Sequence, residues 1–158
     1  MKITALRAHP KNNQRVDVYL DGERAFSLTV LVADTLRVGQ QLSPAEVAQL
    51  QSQGLREEAH DTALRYLGYR PRSVEEMRCY LAKRNYPPEV QEATIARLRQ
   101  SGLINDGDFA QYWVENRERF RPRSRRALRY ELRQKGVEAD AIDRAINSVD
   151  EEVGAYEL

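Results

Sequence analysis

Tyr69-Arg70-Pro71-Arg72-Ser73 and, 51 residues later, Phe120-Arg121-Pro122-Arg123-Ser124 carry the same phrase, an aromatic residue followed by Arg-Pro-Arg-Ser. Self-similarity at a fixed period is the signature of tandem structural repeats. Without a gap, the same displacement takes Met77 to Leu128, Arg78 to Arg129, Leu81 to Leu132, Ile95 to Ile146 and Leu98 to Val149. Apolar positions fall on apolar positions, a register that chance would not keep.

Each copy spells out helices. Pro71 disfavours helix just before it, Ser73 is an N-cap type, and Glu76 three positions on completes a capping box, so a helix is predicted from Val74. Met77 and Leu81 share one face of it, and it ends near Asn85, ahead of Pro87-Pro88. Pro88 suits the first turn of a further helix, which carries Val90, Ile95 and Leu98 inward and stops at Gly102, a left-handed cap. Upstream, Ala59, Ala63, Leu64 and Leu67 mark a helix finishing near Gly68. In the second copy Asp106 is read as the cap of a helix bearing Phe109, Trp113 and Val114. Ser124 opens one with Leu128 and Leu132 that closes at Gly136, and Ala141, Ile142, Ile146 and Val149 make the third. Three short helices cannot bury their apolar stripes alone, so the expected fold is mainly α: tandem three-helix repeats forming an elongated, curved array.

The N-terminal third follows another period. Ile3-Thr4-Ala5-Leu6 and Val16-Asp17-Val18-Tyr19-Leu20 alternate in twos, and Asp21-Gly22 before Arg24-Ala25-Phe26-Ser27-Leu28 signals a β-hairpin, giving a piece of two or three strands. So small a sheet needs cover, and the helix that Ser43, Pro44 and Glu46 open, with Val47 and Leu50 on its buried side, is expected to supply it. Residues 30 to 42 give no clear signal. The domains expected are 1–55, a β-hairpin with a helix; 56–105, the first three-helix repeat; 106–150, the second; and 151–158, the opening of an incomplete third repeat or a tail.

Composition narrows the class. At 158 residues, 41% hydrophobic and 31% charged, the chain has matter for one or two ordinary domains. No run approaches the ~18 apolar residues of a membrane span, no charged-then-apolar leader is present, and the single cysteine excludes an internal disulfide. A cytoplasmic monomer without membrane contact is expected. Cys79 is read as a buried, inert thiol beside the apolar stripe of its helix. His9 and His60 stand alone, no Cys/His cluster has metal spacing, and no acid/base pair, phosphate loop or dinucleotide fingerprint occurs. No catalytic residue, metal or cofactor is therefore expected. Tyr112-Trp113 could stack a base, but their spacing from Phe109 reads as core.

The formal net charge of +1 hides a local field: from Arg117 to Lys135 nine basic residues face only Glu118 and Glu131. At about 100° per residue Arg125, Arg129 and Arg133 drift through about 80°, with Arg126 just beyond, so they form one face of a helix. In the first copy Val74, Glu75 and Ala82 replace Arg125, Arg126 and Arg133, leaving Arg78. A solvated face is the bland alternative. Against it stand the shared face, the scarcity of local acids and the choice of Arg, whose planar fork suits carboxylate or phosphate.

These residues carry a family resemblance. Ala-Leu-Arg-Tyr-Leu-Gly-Tyr-Arg-Pro-Arg-Ser (63 to 73), Tyr-Pro-Pro-Glu-Val (86 to 90), Leu103-Ile104-Asn105-Asp106-Gly107-Asp108-Phe109-Ala110, and Arg119 through Leu128 followed by Glu131-Leu132-Arg133-Gln134-Lys135-Gly136-Val137 together resemble the RecX family of bacterial recombination regulators. The likeness runs over roughly residues 57 to 153 and leaves the strand-bearing segment outside. It implies a protein without catalysis that binds the RecA recombinase and its nucleoprotein filament. Such proteins restrain ATP hydrolysis, coprotease activity and strand exchange, or interrupt filament growth. Relatives commonly have a third repeat, of which 151–158 resembles a beginning. The residues taken as binding RecA or DNA are Arg119, Arg121, Arg123, Arg125, Arg126, Arg129, Arg133 and Lys135, with Arg70, Arg72 and Arg78 from the first copy. The alternative is a module that binds single- or double-stranded DNA by itself, without sequence preference.

Overall fold

A computed structural model describes residues 1–120 and 122–156, with side chains omitted for Phe120 and 149–156. Arg121, the burial of Val149 and residues 157–158 lie outside the described residues. Two compact units are present, Met1–Thr62 and Ala63–Leu158.

In the first unit β1 (Ile3–His9), β2 (Asn12–Leu20) and β3 (Glu23–Thr29) form an antiparallel meander in that order. Asp21 at φ 50° and Gly22 at φ 89° make the tight turn that the Asp-Gly pair foretold. Ile3, Val18, Leu20, Phe26 and Leu28 bury one side of the sheet with Ala33 and Leu42, and Val47 and Leu50 pack against them as expected. The unreadable stretch contains α1 (Val30–Ala33) and a return to the sheet edge, where Ile3 N–H donates to Gln40 O at 2.9 Å and Gly39 N–H to Ile3 O at 2.7 Å.

Where the sequence suggests one helix opening at Ser43 and another over 59–67, the chain makes a single 24-residue helix, α2 (Pro44–Leu67). Ser43 and Glu46 form the anticipated capping box, the Glu46 N–H donating to Ser43 Oγ at 3.1 Å and the Ser43 N–H to Glu46 Oε1 at 3.2 Å. Gly54 sits mid-helix because a Cβ there would collide with Ser27 O. At that close approach Arg15, buried on β2, donates to Ser27 Oγ, Ser27 O and Gly54 O at 2.9 to 3.1 Å. A buried guanidinium held at Nε and Nη2 was not legible in an alternating strand.

The second unit holds the copies. α3 (Val74–Lys83) and α4 (Pro88–Gln100) recur as α6 (Arg125–Gln134) and α7 (Ala139–Tyr156), each starting 51 residues later, with α5 (Asp106–Phe120) between them. Met77 and Leu128, Leu81 and Leu132, Tyr86 and Val137, and Ile95 and Ile146 are buried pair by pair. The left-handed turns match too: Asn85 at φ 67° answers Gly136 at φ 78°.

Two local expectations are corrected. Cys79 is exposed, because two residues from both Met77 and Leu81 is about 200° around the helix from that stripe. Asp106 does not cap its own helix: Asn105 Oδ1 accepts from Asp108 N–H at 3.0 Å, while Asp106 Oδ1 accepts from Val74 N–H at 2.8 Å. The carboxylate thus serves the first turn of α3.

Candidate functional site

The copies meet at the N-terminus of α3. Ser73 Oγ accepts from Glu76 N–H at 3.0 Å and donates to Lys135 O at 2.7 Å, so one hydroxyl caps α3 and ties down the end of α6. Glu76 closes the capping box and accepts from Arg70, at 2.5 Å on Oε2, and from Lys135 Nζ at 3.4 Å. Burial pushes the Glu76 carboxyl up, but the hydrogen bonds of Arg70 and of the Ser73 N–H, with the charges of Arg70 and Lys135, outweigh it and leave the pKa below the ordinary 4.5. Trp113, half-buried against the core, packs beside this junction. Its Nε1–H donates to Glu131 at 2.7 Å, and Arg117, Lys135 and Arg70 lie 4.7, 5.3 and 6.0 Å from its ring. Its faces are thereby occupied by the chain's own cations.

Corresponding positions of the two copies use different forces. In the first, Arg72, Tyr66, Tyr80 and Arg84 form a column: the tyrosine rings stack at 3.8 Å with planes 1° apart, and the guanidiniums cover them at 3.7 and 4.7 Å. Shifted by 51, these become Arg123, Arg117, Glu131 and Lys135, and there Glu131 joins Arg117 at 3.2 Å and Arg123 at 3.8 Å. One ion pair is kept in both. Arg78 reaches Glu92 at 2.7 Å, and Arg129 reaches the equivalent Asp143 at 3.3 Å.

The sequence-selected cations therefore divide. Arg70, Arg72, Arg78, Arg123, Arg129 and Lys135 all have partners within the unit. Arg125 is exposed and also engaged. Arg119, Arg126 and Arg133 are exposed and make no hydrogen bond or ion pair among the described residues. Sequence reasoning took the basic run as nearly uncompensated because it counted only acids inside the run. Glu76 and Asp143 come from other elements. It also passed over Tyr130, 65% exposed on α6 between Arg126 and Arg133, although spacings of four and three were the signal.

Among the described residues no cluster of His, Cys, Asp and Glu could hold a metal ion, and no helix is long and apolar enough to cross a membrane. His9 accepts the Lys11 N–H on Nδ1 at 3.1 Å, a local turn contact.

The three-helix units have counterparts. A family model described as RecX, first three-helix domain, matches residues 59–98, and one described as RecX, second three-helix domain, matches 105–146. The chain belongs to the RecX family. Regulatory protein RecX of Bacillus pumilus is 33% identical over 147 residues, covering 92% of this chain and 56% of the relative. Regulatory protein RecX of Streptomyces lividans is 47% identical over 96 residues, 61% of this chain and 51% of the relative. A crystal structure of regulatory protein RecX superposes with a TM-score of 0.73 at 29% identity, covering 94% of this chain and 73% of that one. The chain spans about half the length of the curated relatives it matches. Likeness over 92% of the chain reaches into the strand-bearing segment, so that unit is shared with RecX relatives rather than lying outside them.

Proposed function

We propose that this RecX-family chain regulates RecA recombinase filaments, binding the nucleoprotein filament and restraining its ATPase, coprotease and strand-exchange activities in recombination and DNA repair. It does so in the cytoplasm by occupancy, without chemistry of its own. The observation that supports the reading is that the sequence-selected cations left without a partner among the described residues all fall between Arg119 and Arg133. Arg119, Arg126 and Arg133 belong to the second copy, and at the equivalents of Arg126 and Arg133 the first copy has Glu75 and Ala82. Arginine without an internal partner retains its full capacity for bidentate contact with an external carboxylate or phosphate. The test is RecA ATP hydrolysis on single-stranded DNA with increasing amounts of the chain. Inhibition that weakens in the Arg126→Gln/Arg133→Gln double variant is expected. ATP turnover indifferent to the unaltered chain would sink the proposal.

A further inference from the structure

On α6, Arg126, Tyr130 and Arg133 form a stripe. At about 100° per residue they lie within about 60° of arc, on the opposite side from buried Leu128 and Leu132. Among the described residues none of the three makes a hydrogen bond, ion pair or ring contact. Tyr19, Tyr66, Tyr80 and Trp113 each have a cation of the same chain over the ring. Tyr69 and Tyr130 are exposed without one, and of these two only Tyr130 lies between unpaired arginines of its own helix, four before and three after it. The scaffold does not call for the arrangement, because the first copy has Glu75, Cys79 and Ala82 at the same places of α3.

We infer that this stripe binds single-stranded nucleic acid, a base stacking on Tyr130 and the flanking phosphates meeting Arg126 and Arg133. An open aromatic face between two unpaired guanidiniums matches what an unpaired strand presents, π-faces alternating with charge. A duplex hides its base faces within the stack and would leave the ring idle. An acidic protein surface would use the arginines but has no need of a bare ring between them. The inference goes beyond the recombinase reading, since it requires affinity for a free strand.

The experiment is fluorescence anisotropy of the full chain with a labelled oligothymidylate and with a duplex of equal length, over a range of salt, alongside RecA ATPase. Tyr130→Ala should weaken single-strand binding by about 5- to 150-fold, the range known for loss of one stacked base, and leave duplex binding unchanged, while Tyr130→Phe retains affinity. Arg126→Gln and Arg133→Gln should each lower the single-strand salt slope by about 0.7. Circular dichroism of each variant should match the parent, because exposed substitutions seldom disturb a helix. Single-strand affinity unaffected by Tyr130→Ala, or lost equally from strand and duplex, would overturn the inference. Loss of RecA inhibition with strand affinity intact would also overturn it and leave the recombinase reading standing. Tyr130-dependent strand binding without any effect on RecA would support it while removing that reading.

Discussion

At the residue scale the junction between copies rests on a few polar atoms, and each has a cost when removed. Ser73→Ala takes away the α3 cap and the bond to Lys135 O together. Capping alone is worth about 1 kcal/mol and a part-buried carbonyl left without a donor about 1 to 3, so a loss of about 2 to 4 kcal/mol in urea denaturation is expected. Ser124→Ala, at the same position of the exposed second cap, should lose only about 1 kcal/mol. Glu76 adds a pH signature. Its folded pKa is lowered, so its contribution is complete above the unfolded value near 4.5 and is lost as pH falls through the folded one. Thermal midpoints should decline below about pH 4.5, and Glu76→Gln should be less stable at neutral pH with a shallower acid slope. Parallel slopes for the two proteins would assign the acid response elsewhere. The capping serines and Glu76 were legible because a capping box is written in residues three apart. The target of Asp106 was not, since a carboxylate suited to one helix start can serve another brought near by folding.

At the scale of the element, α3 and α6 are the same ten-residue helix used twice, one strut in common and their outer faces divergent. Arg78→Ala and Arg129→Ala each break that strut, and as both pairs are substantially exposed each should cost under about 1 kcal/mol. Equal small losses in both would mark Arg129 as scaffold. The double variant Arg126→Gln/Arg133→Gln should melt with the parent and yet inhibit RecA less. The repeated helices, their apolar stripe and their stops were plain from a displacement of 51 and a period of 3.6. The division of the basic run into paired and unpaired cations was hidden, because the pairs span fourteen residues at Arg117–Glu131 and Arg129–Asp143 and fifty-nine at Lys135–Glu76.

At the scale of the whole molecule, charge is nearly balanced overall, yet nine of the basic residues fall between Arg117 and Lys135 in the second copy. Moving charge should therefore move function. Arg126→Glu/Arg133→Glu should abolish RecA inhibition in the ATPase assay, and Arg97→Glu/Arg99→Glu on α4 should do much less. Equal losses would mean that only net charge matters. Gly136 bears on how the copies are held, for its φ of 78° suits glycine and a Cβ there would lie 2.5 Å from Glu75 Cβ. The repeat architecture and the N-terminal hairpin were readable as patterns. The continuity of α2 was not, because the close approach at Gly54 that justifies a mid-helix glycine is a tertiary event. The chain's one tryptophan lies at the junction, with its indole hydrogen-bonded to Glu131, whereas the stacked tyrosine pair belongs to the first copy alone. The molecule thus carries two built-in optical reporters. Trp113 emission follows the joint, near-ultraviolet tyrosine dichroism follows the first copy, and their coincidence or separation along a melting curve registers whether the copies come apart as one body or in turn.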